Sequence, residues 1–493
     1  MSLIQVSDLT FAYPGSYDDV YDHVSFQFDT DWKLGFLGRN GRGKTTFLRL
    51  LLGQYPHGGT ISCPVPCAYF PPAVTDGSTM TLEVLCGLCP AAEEWELLRE
   101  TGVLGVDAEA LYRPFSTLSN GEQTKCLLAA LFCGEERYLL IDEPTNHLDA
   151  AGRRTVGDYL RRKRGFLLVS HDRVLLDGCV DHILALNKTG PEIQSGNFTS
   201  WWENKARRDA FEQLKNERLK GEIRRLEQSA EERRRKADAV ERAKTGISSQ
   251  GIVKHGLRPY LGEKSRKGQQ QRKNMDRRAD RAVAEKSGLL KDLERTEELK
   301  LRPLTARGRL LDLREVSAFY GERRVCGPLT FSVEPGDRIA LDGINGSGKT
   351  TLLKLACGED IGCTGTLTRL SGMTVSCVPQ DTSHLRGSLR SYARVCGVDE
   401  TLLLAILRKL DFPREQFEKD MADWSAGQKK KALIARSLCE SAHLYVWDEP
   451  LNYLDVWSRM QVEELLLRFR PTMLFVEHDG AFRRRIATKT VEI

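Results

Sequence analysis

No apolar run in this chain of 493 residues approaches the roughly 20 residues that span a bilayer. The opening residues, MSLIQVSD, carry neither a basic patch nor an apolar stretch of the kind that directs export. Both absences predict a cytoplasmic protein without a membrane segment. Cysteine is not scarce. The chain has 13, mostly inside apolar runs such as LFCGEE and VSCVPQ, which predicts buried, reduced thiols. Cys63, Cys67, Cys86 and Cys89 form a C-x3-C and C-x2-C pattern of the sort that holds zinc. Pro64, Pro66 and Pro90 crowd that cluster and the glycines of a zinc knuckle are missing, so no metal is expected there. With 41% hydrophobic and 29% charged residues, the composition suits two or three globular domains.

Proline is also absent from Trp202 through Ala243, where a single glycine occurs and apolar residues recur at Leu219, Ile223, Leu226, Ala230, Ala237 and Val240. Gaps of three, four and seven describe one seam on a helix. A second seam follows at Met275, Ala279, Ala282, Leu289, Leu293 and Leu299, which predicts an antiparallel helical hairpin. Forty helical residues rise about 60 Å, enough to project far from a globular body. Between the seams, Ile247 to Asn274 contains four glycines and one acid. Its Lys254, Arg258, Lys264, Arg266, Lys267, Arg272 and Lys273, with Tyr260 and His255 able to stack on a base, suit a phosphate-rich partner. From 203 to 302 there are 29 Lys/Arg and 18 Asp/Glu, net +11 against +5 for the whole chain. The basic character is therefore local. The expected domains are 1–202, a linker over 203–302, and 303–493.

The two flanking segments repeat one another. In the first, WKLGFLGRNGRGKTTFLRLL reads as a strand, the loop Gly38-Arg39-Asn40-Gly41-Arg42-Gly43-Lys44-Thr45, and a helix. This is a phosphate loop in its required setting: backbone N–H groups and the helix N-terminus face the phosphates, Lys44 reaches the outer ones, and Thr45 can hold Mg²⁺. RYLLIDEP delivers Asp142 to the Mg²⁺ shell and Glu143 to the attacking water, and GFLLVS ends at His171, placed for the γ-phosphate. Ser119 and Gly121 in TLSNGEQTK open another helix, a second anion site that Lys44 cannot share within one domain. The second half supplies its partner in the same order: Tyr320 in VSAFYGE, GINGSGKT from Gly343 to Thr350, Gln380 in VPQD, Ser425 in WSAGQKKK, Asp448 and Glu449 in VWDEPLNYLD, and His478 in LFVEHD.

This combination resembles the ATP-binding cassette ATPases over both halves. IDEPTNHLD with two fused cassettes is similar to the ABC-F subfamily of translational ATPases. Within it, WKLGFLGRNGRGKTT, RPFSTLS, GNFTSWWENKARRDAFE and WDEPLNYLDV resemble the Lsa/Vga-type ribosomal protection proteins of antibiotic resistance. The resemblance implies an α/β fold of two tandem P-loop NTPase domains joined by an antiparallel α-helical hairpin linker, a monomer that closes head to tail on two ATP molecules. Site one would join Tyr13, Gly38, Asn40, Gly41, Gly43, Lys44, Thr45, Thr46, Asp142, Glu143 and His171 to Ser425, Gly427 and Gln428. Site two would join Tyr320, Gly343, Asn345, Gly346, Gly348, Lys349, Thr350, Thr351, Gln380, Asp448, Glu449 and His478 to Ser119, Gly121 and Gln123. Glu143, Glu449, His171 and His478 would be catalytic, and Thr45, Asp142, Thr350, Gln380 and Asp448 would hold Mg²⁺.

By the same resemblance, the linker would enter the E site of the 70S ribosome and meet large-subunit RNA and a P-site tRNA near the peptidyl-transferase centre. It would counter lincosamides, pleuromutilins and streptogramin A, and ATP hydrolysis would release it. The sequence departs from the family where Pro72 follows Tyr69-Phe70-Pro71 in place of a glutamine, so site one is expected to hydrolyse more slowly than site two. Asn120 stands in SNGEQ for the usual glycine, and Gly268-Gln269-Gln270-Gln271 is polar where resistance members carry apolar residues. A general translation factor, the ATPase subunit of an importer, and a DNA-repair ATPase are the other readings. The basic linker argues against the importer, and its shortness argues against the DNA enzyme.

Overall fold

The computed structural model describes residues 2–15, 19–134, 136–146, 148–187, 190–247, 299–344 and 346–493. It divides into one unit holding Met1–Trp201 with Thr296–Ile493, and another, Trp202–Arg295. Lys254, His255, Arg258, Tyr260, Lys264, Arg266, Lys267, Arg272, Lys273 and Asn345 lie outside the described residues, as do Met275, Ala279, Ala282, Leu289 and Leu293 of the second seam.

The first cassette is built from β1 (Leu3–Phe11), β2 (Tyr21–Asp29), β3 (Lys33–Gly38), β4 (Gly58–Ser62), β5 (Cys67–Phe70), β6 (Tyr138–Asp142), β7 (Phe166–Val169), β8 (His182–Asn187) and β9 (Gly190–Ser195). Its main sheet runs β5-β6-β7-β3-β8-β9, parallel except for β9, beside an antiparallel β2-β1-β4 sheet. The second cassette repeats the plan with β10 (Leu311–Tyr320), β11 (Arg323–Val333), β12 (Arg338–Asp342), β13 (Gly362–Arg369), β14 (Val375–Val378), β15 (Leu444–Asp448), β16 (Met473–Val476) and β17 (Lys489–Glu492). Its sheets are β14-β15-β16-β12-β17 and β11-β10-β13. The near-continuous apolar runs of β6, β7, β15 and β16 are what parallel strands covered on both faces require. The helices Lys44–Leu51 and Lys349–Cys357 each follow a central strand, so the phosphate loop opens at the carboxyl edge of its sheet, where open α/β sheets bind ligands.

Glycine is obligatory at the turn into each of these helices. Gly43 sits at φ 85° and a Cβ there would lie 2.5 Å from Val20; Gly348 sits at φ 92° and its Cβ would lie 2.7 Å from Cys326. Three further helices on each side carry the signature segment, Thr81–Leu88, Glu94–Val103 and Asn120–Leu131 in the first cassette and Leu389–Val395, Glu400–Lys409 and Ala426–Cys439 in the second.

The helix that leaves the first cassette, Phe198–Ile247, starts four residues before the expected Trp202 and runs for 50 residues, about 75 Å. Leu219, Ile223 and Leu226 are half-buried between exposed neighbours, so this part of the first seam faces one side. Leu299 does not extend the second seam. With Leu301 it is buried in the core of the second cassette beside Leu385, Leu403 and Trp447, and Leu304 N–H donates to Ala442 O at 2.8 Å, so the chain has rejoined the cassette before the expected boundary at 302.

The cysteines also depart from expectation at one place. The last turn of Lys349–Cys357 meets β14, and Cys357 and Cys377 are disulfide-bonded with Cα atoms 6.9 Å apart; the other 11 are free. Cys63 and Cys67 face each other at 3.5 Å, whereas Cys89 is buried and its thiol donates to Leu85 O.

The cassettes meet through buried charge. Arg173 of the first reaches both carboxylate oxygens of Glu463 in the second, where Glu463 is 0% exposed and also receives Arg485 at 3.1 Å; Asp479 lies 3.7 Å from Arg173 and 3.5 Å from Arg459. Removing one partner of such a pair strands a charge, at about 3–5 kcal/mol, whereas an exposed pair is worth about 0–1 kcal/mol. Arg173→Ala is therefore expected to lower the Tm by clearly more than Arg485→Ala in a calorimetric scan; equal shifts would mean that the two arginines serve Glu463 equally.

Candidate functional site

A cavity of about 760 Å³ opens between the halves at site two. The second cassette contributes Gly346, Gly348, Lys349, Thr350, Thr351, Gln380, Glu449 and His478, and the first contributes Ser119, Asn120, Gly121, Glu122 and Asp149. Lys349 Nζ donates to Gly343 O at 2.8 Å and to Ile344 O at 2.7 Å, which holds the ammonium over the loop. Glu449, at φ 44°, accepts from Gln380 Nε2 at 2.9 Å and Asn452 Nδ2 at 2.5 Å, with His478 Nε2 at 3.2 Å. Burial pushes its carboxyl up, but the hydrogen bonds from His478 and Gln380 outweigh burial and hold it below the ordinary range. It is a carboxylate fixed on both oxygens.

Site one encloses about 360 Å³ lined by Tyr13, Asn40, Gly41, Gly43, Lys44, Thr45, Thr46, Asp142, Glu143 and His171. Lys44 Nζ donates to Gly38 O at 2.6 Å and to Arg39 O at 3.2 Å. Thr45 Oγ1 donates to Asp142 Oδ2 at 2.8 Å, and Tyr69 Oη donates to the same oxygen at 3.0 Å. Glu143 adopts the same left-handed backbone, φ 50°, and its Oε1 stands 3.4 Å from His171 Nε2. Where site two has Gln380, however, Pro72 offers no amide. Burial, with the Asp142 charge beside it, pushes the Glu143 carboxyl up to about 7. Burial and the nearby Lys44 hold His171 well below its usual range and so neutral. Two carboxylates in matching positions thus sit in different electrostatic settings.

The opposite half closes site one from the other side. Asn40 Nδ2 donates to Tyr453 O at 2.8 Å, and Gly427 packs so tightly that a Cβ would lie 2.6 Å from Tyr453 O and 3.2 Å from Asn40 Nδ2. Arg39 pairs with Asp411 at 3.2 Å. Asp455, fully buried and capping its helix through Ser458 N–H at 2.9 Å, acts electrostatically on Lys44 and His171, and Asp149 does so on Lys349. Each half therefore places an aspartate beside the phosphate loop of the other.

Some expected residues fall elsewhere. Tyr320 is 52% exposed and, like Gly343 and Asp448, does not line the site-two cavity. Tyr13 lines site one, with its ring against Phe11 and Tyr55 and its hydroxyl 2.7 Å from Thr46 Oγ1. Gln123 is a correction. The capping boxes pair Ser119 with Glu122 and Ser425 with Gln428, so Glu122 is the register partner of Gln428. Gln123, one residue on, turns away and donates to Phe115 O at 3.0 Å and Leu118 O at 3.1 Å. Counting three residues from each serine would have found Glu122. Tyr69 was hidden because β5 only shows which face it occupies once paired with β6. Accordingly, Glu122→Ala is expected to slow single-turnover hydrolysis at site two, and Gln123→Ala to lower the Tm with nucleotide affinity unchanged; the reverse pattern would restore Gln123 to the site.

Among the described residues, no helix is long and apolar enough to cross a membrane. The sequence pattern of the ABC transporter family matches residues 21–146 and 326–452, more than half of the chain. The chain is 27% identical to the ATP-binding protein Uup of Caulobacter vibrioides over 96% of its own length and 74% of that protein's, and 26% identical to the ribosome protection protein VmlR of Bacillus subtilis over 96% and 84%. The solved structure of the RNase-L Inhibitor shares the fold with a TM-score of 0.61 at 20% identity, over 99% of this chain and 87% of that one. These similarities and the two reciprocal clefts lead to one conclusion: the chain belongs to the ABC transporter family, as an ATP-hydrolysing tandem-cassette protein of the ABC-F type.

Proposed function

We propose that the protein is a ribosome-binding ATPase whose cassettes close on ATP and thereby hold the basic linker against ribosomal RNA near the peptidyl-transferase centre, protecting the ribosome from lincosamide, pleuromutilin and streptogramin A antibiotics. The observation that carries this reading is the junction of nucleotide cleft and linker helix. Trp201, in the first turn of Phe198–Ile247 and 1% exposed, packs edge-on against Trp457 of the second cassette at 6.0 Å. Trp457 stands two residues beyond Asp455, which acts on Lys44. A change in closure at site one is thus felt at the root of the helix. The likeness to VmlR, a ribosome protection protein, supports the same partner.

In this reading Lys44 and Lys349 hold the outer phosphates, and the opposite signature segment, Ser119 to Glu122 or Ser425 to Gln428, supplies N–H groups from a helix N-terminus. Glu449 orients the attacking water with its proton directed toward His478, and Glu143 does so with His171. Thr45 with Asp142, and Thr350 with Gln380 and Asp448, offer the oxygen donors that suit Mg²⁺, which when bound would screen the phosphate charge. Loss of the γ-phosphate removes the group that both halves share, and the clasp relaxes. Lys254, Arg258, Lys264, Arg266, Lys267, Arg272 and Lys273, with Tyr260, carry the RNA contact through charge and stacking.

The test is ribosome pelleting with the Glu143→Gln, Glu449→Gln double variant. Co-sedimentation with the large subunit is expected with ATP and not without it, falling steeply as salt rises, and cells expressing the wild type should tolerate lincosamides or pleuromutilins better. Absence of ATP-dependent association would overturn the reading. Association without drug tolerance would remove protection and leave a translation factor.

A further inference from the structure

The Cys357–Cys377 disulfide joins two elements that both run into site two. Lys349 opens the helix that Cys357 ends, about 12 Å away along the axis. Cys377 lies on β14, three residues before Gln380, whose amide donates to Glu449 at 2.9 Å. The bond therefore fixes the helix that carries the phosphate-binding ammonium against the strand that leads to the amide holding the Glu449 carboxylate.

Of the two, β14 is the firmly held member. Ser376, 1% exposed, shares a hydrogen bond with Ser437 at 2.7 Å and donates to Glu440, and Arg436 donates to Cys377 O, so the strand is clamped to the signature helix Ala426–Cys439 and its C-terminal neighbour. The far end of the Lys349–Cys357 helix is held differently. Gly358 N–H and the Arg369 guanidinium take its last carbonyls, and it shares an apolar core with β14. Apolar packing is non-directional, so the covalent bond is what sets the register of helix against strand. In the first cassette, counting from Lys44 and along the β5–β6 pairing, the matching residues are Leu52 and Tyr69, which form no such bond.

We propose that Cys357 and Cys377 are a reversible thiol–disulfide pair that sets the rate of hydrolysis at site two, faster when bonded and several-fold slower when reduced. The bonded form is the one in which Gln380 holds Glu449, which gives the direction of the effect. Reversibility rests on the ribosome-binding reading, which puts the protein in a reducing compartment, where disulfides are transient or redox-sensing rather than structural. Both cysteines are half-buried, within reach of a small thiol. A glutathione thiolate attacks one sulfur, the protein S–S bond breaks as a mixed disulfide forms, and a second glutathione displaces the first, leaving two protein thiols and one glutathione disulfide. Oxidation runs the same steps backwards, with glutathione disulfide taking up the two electrons.

The full chain is equilibrated in buffers of graded glutathione to glutathione disulfide ratio and quenched with iodoacetamide, and the labelling of Cys357 and Cys377 is read by mass spectrometry. The pair is expected to pass from bonded to free within the ratios that cells maintain. Over the same ratios, single-turnover hydrolysis in Glu143→Gln, where site two alone turns over, should fall several-fold, and in Glu449→Gln, where site one alone turns over, it should hold steady. Added to Glu143→Gln, Cys357→Ser or Cys377→Ser should give the reduced rate in every buffer, while Cys63→Ser should leave the response intact. Should a serine variant fold poorly, the titration of the unsubstituted cysteines decides alone. A pair that stays bonded, or stays free, at every ratio would overturn the proposal, as would a site-two rate that ignores the change. A rate that follows the bond in a protein that does not pellet with ribosomes would uphold the switch and remove the ribosome reading instead.

Discussion

The contact between the two cassettes at the phosphate loop of site one is the constraint on which the rest of the molecule depends. Asn40 of one phosphate loop donates to the Tyr453 carbonyl of the other half, and Gly427 fits against that pair only because it has no side chain. The Arg173, Glu463, Asp479 and Arg459 cluster fixes the same approach a few residues away. Buried charge of this kind contributes little net stability compared with an apolar contact of equal size, but it penalises a misplaced partner heavily. It therefore suits an interface whose register matters more than its strength.

Within that shared frame the two clefts are not equivalent. Glu449 is held by an amide and an imidazole, whereas Glu143 has His171 but no glutamine and sits higher on the titration scale. The difference traces to Pro72, which stands where the second cassette has Gln380. Both halves share one scaffold, and different residues at equivalent positions give each cleft its own electrostatics.

The fold was legible because its signals are local. The phosphate loops sit between an apolar strand and an apolar helix, and β6, β7, β15 and β16 announce a parallel sheet by unbroken apolar runs. What remained hidden depends on pairing over long distances. Leu299 continues a helical spacing in the sequence, yet burial in the second cassette claims it, since periodicity does not say which surface a residue meets. Gln123 looked like the signature glutamine by residue type, and the capping box assigns that register to Glu122. Tyr69 stood in the segment before Pro72 with no role of its own; its importance comes from where β5 ends relative to Asp142.

The asymmetry of the two clefts is the claim most directly open to measurement. Single-turnover hydrolysis is followed in Glu449→Gln, which leaves site one, and in Glu143→Gln, which leaves site two. The account predicts clearly faster decay of bound ATP when site two is the one left intact, because Gln380 and His478 hold Glu449 as an oriented carboxylate. Equal rates in the two variants would contradict it.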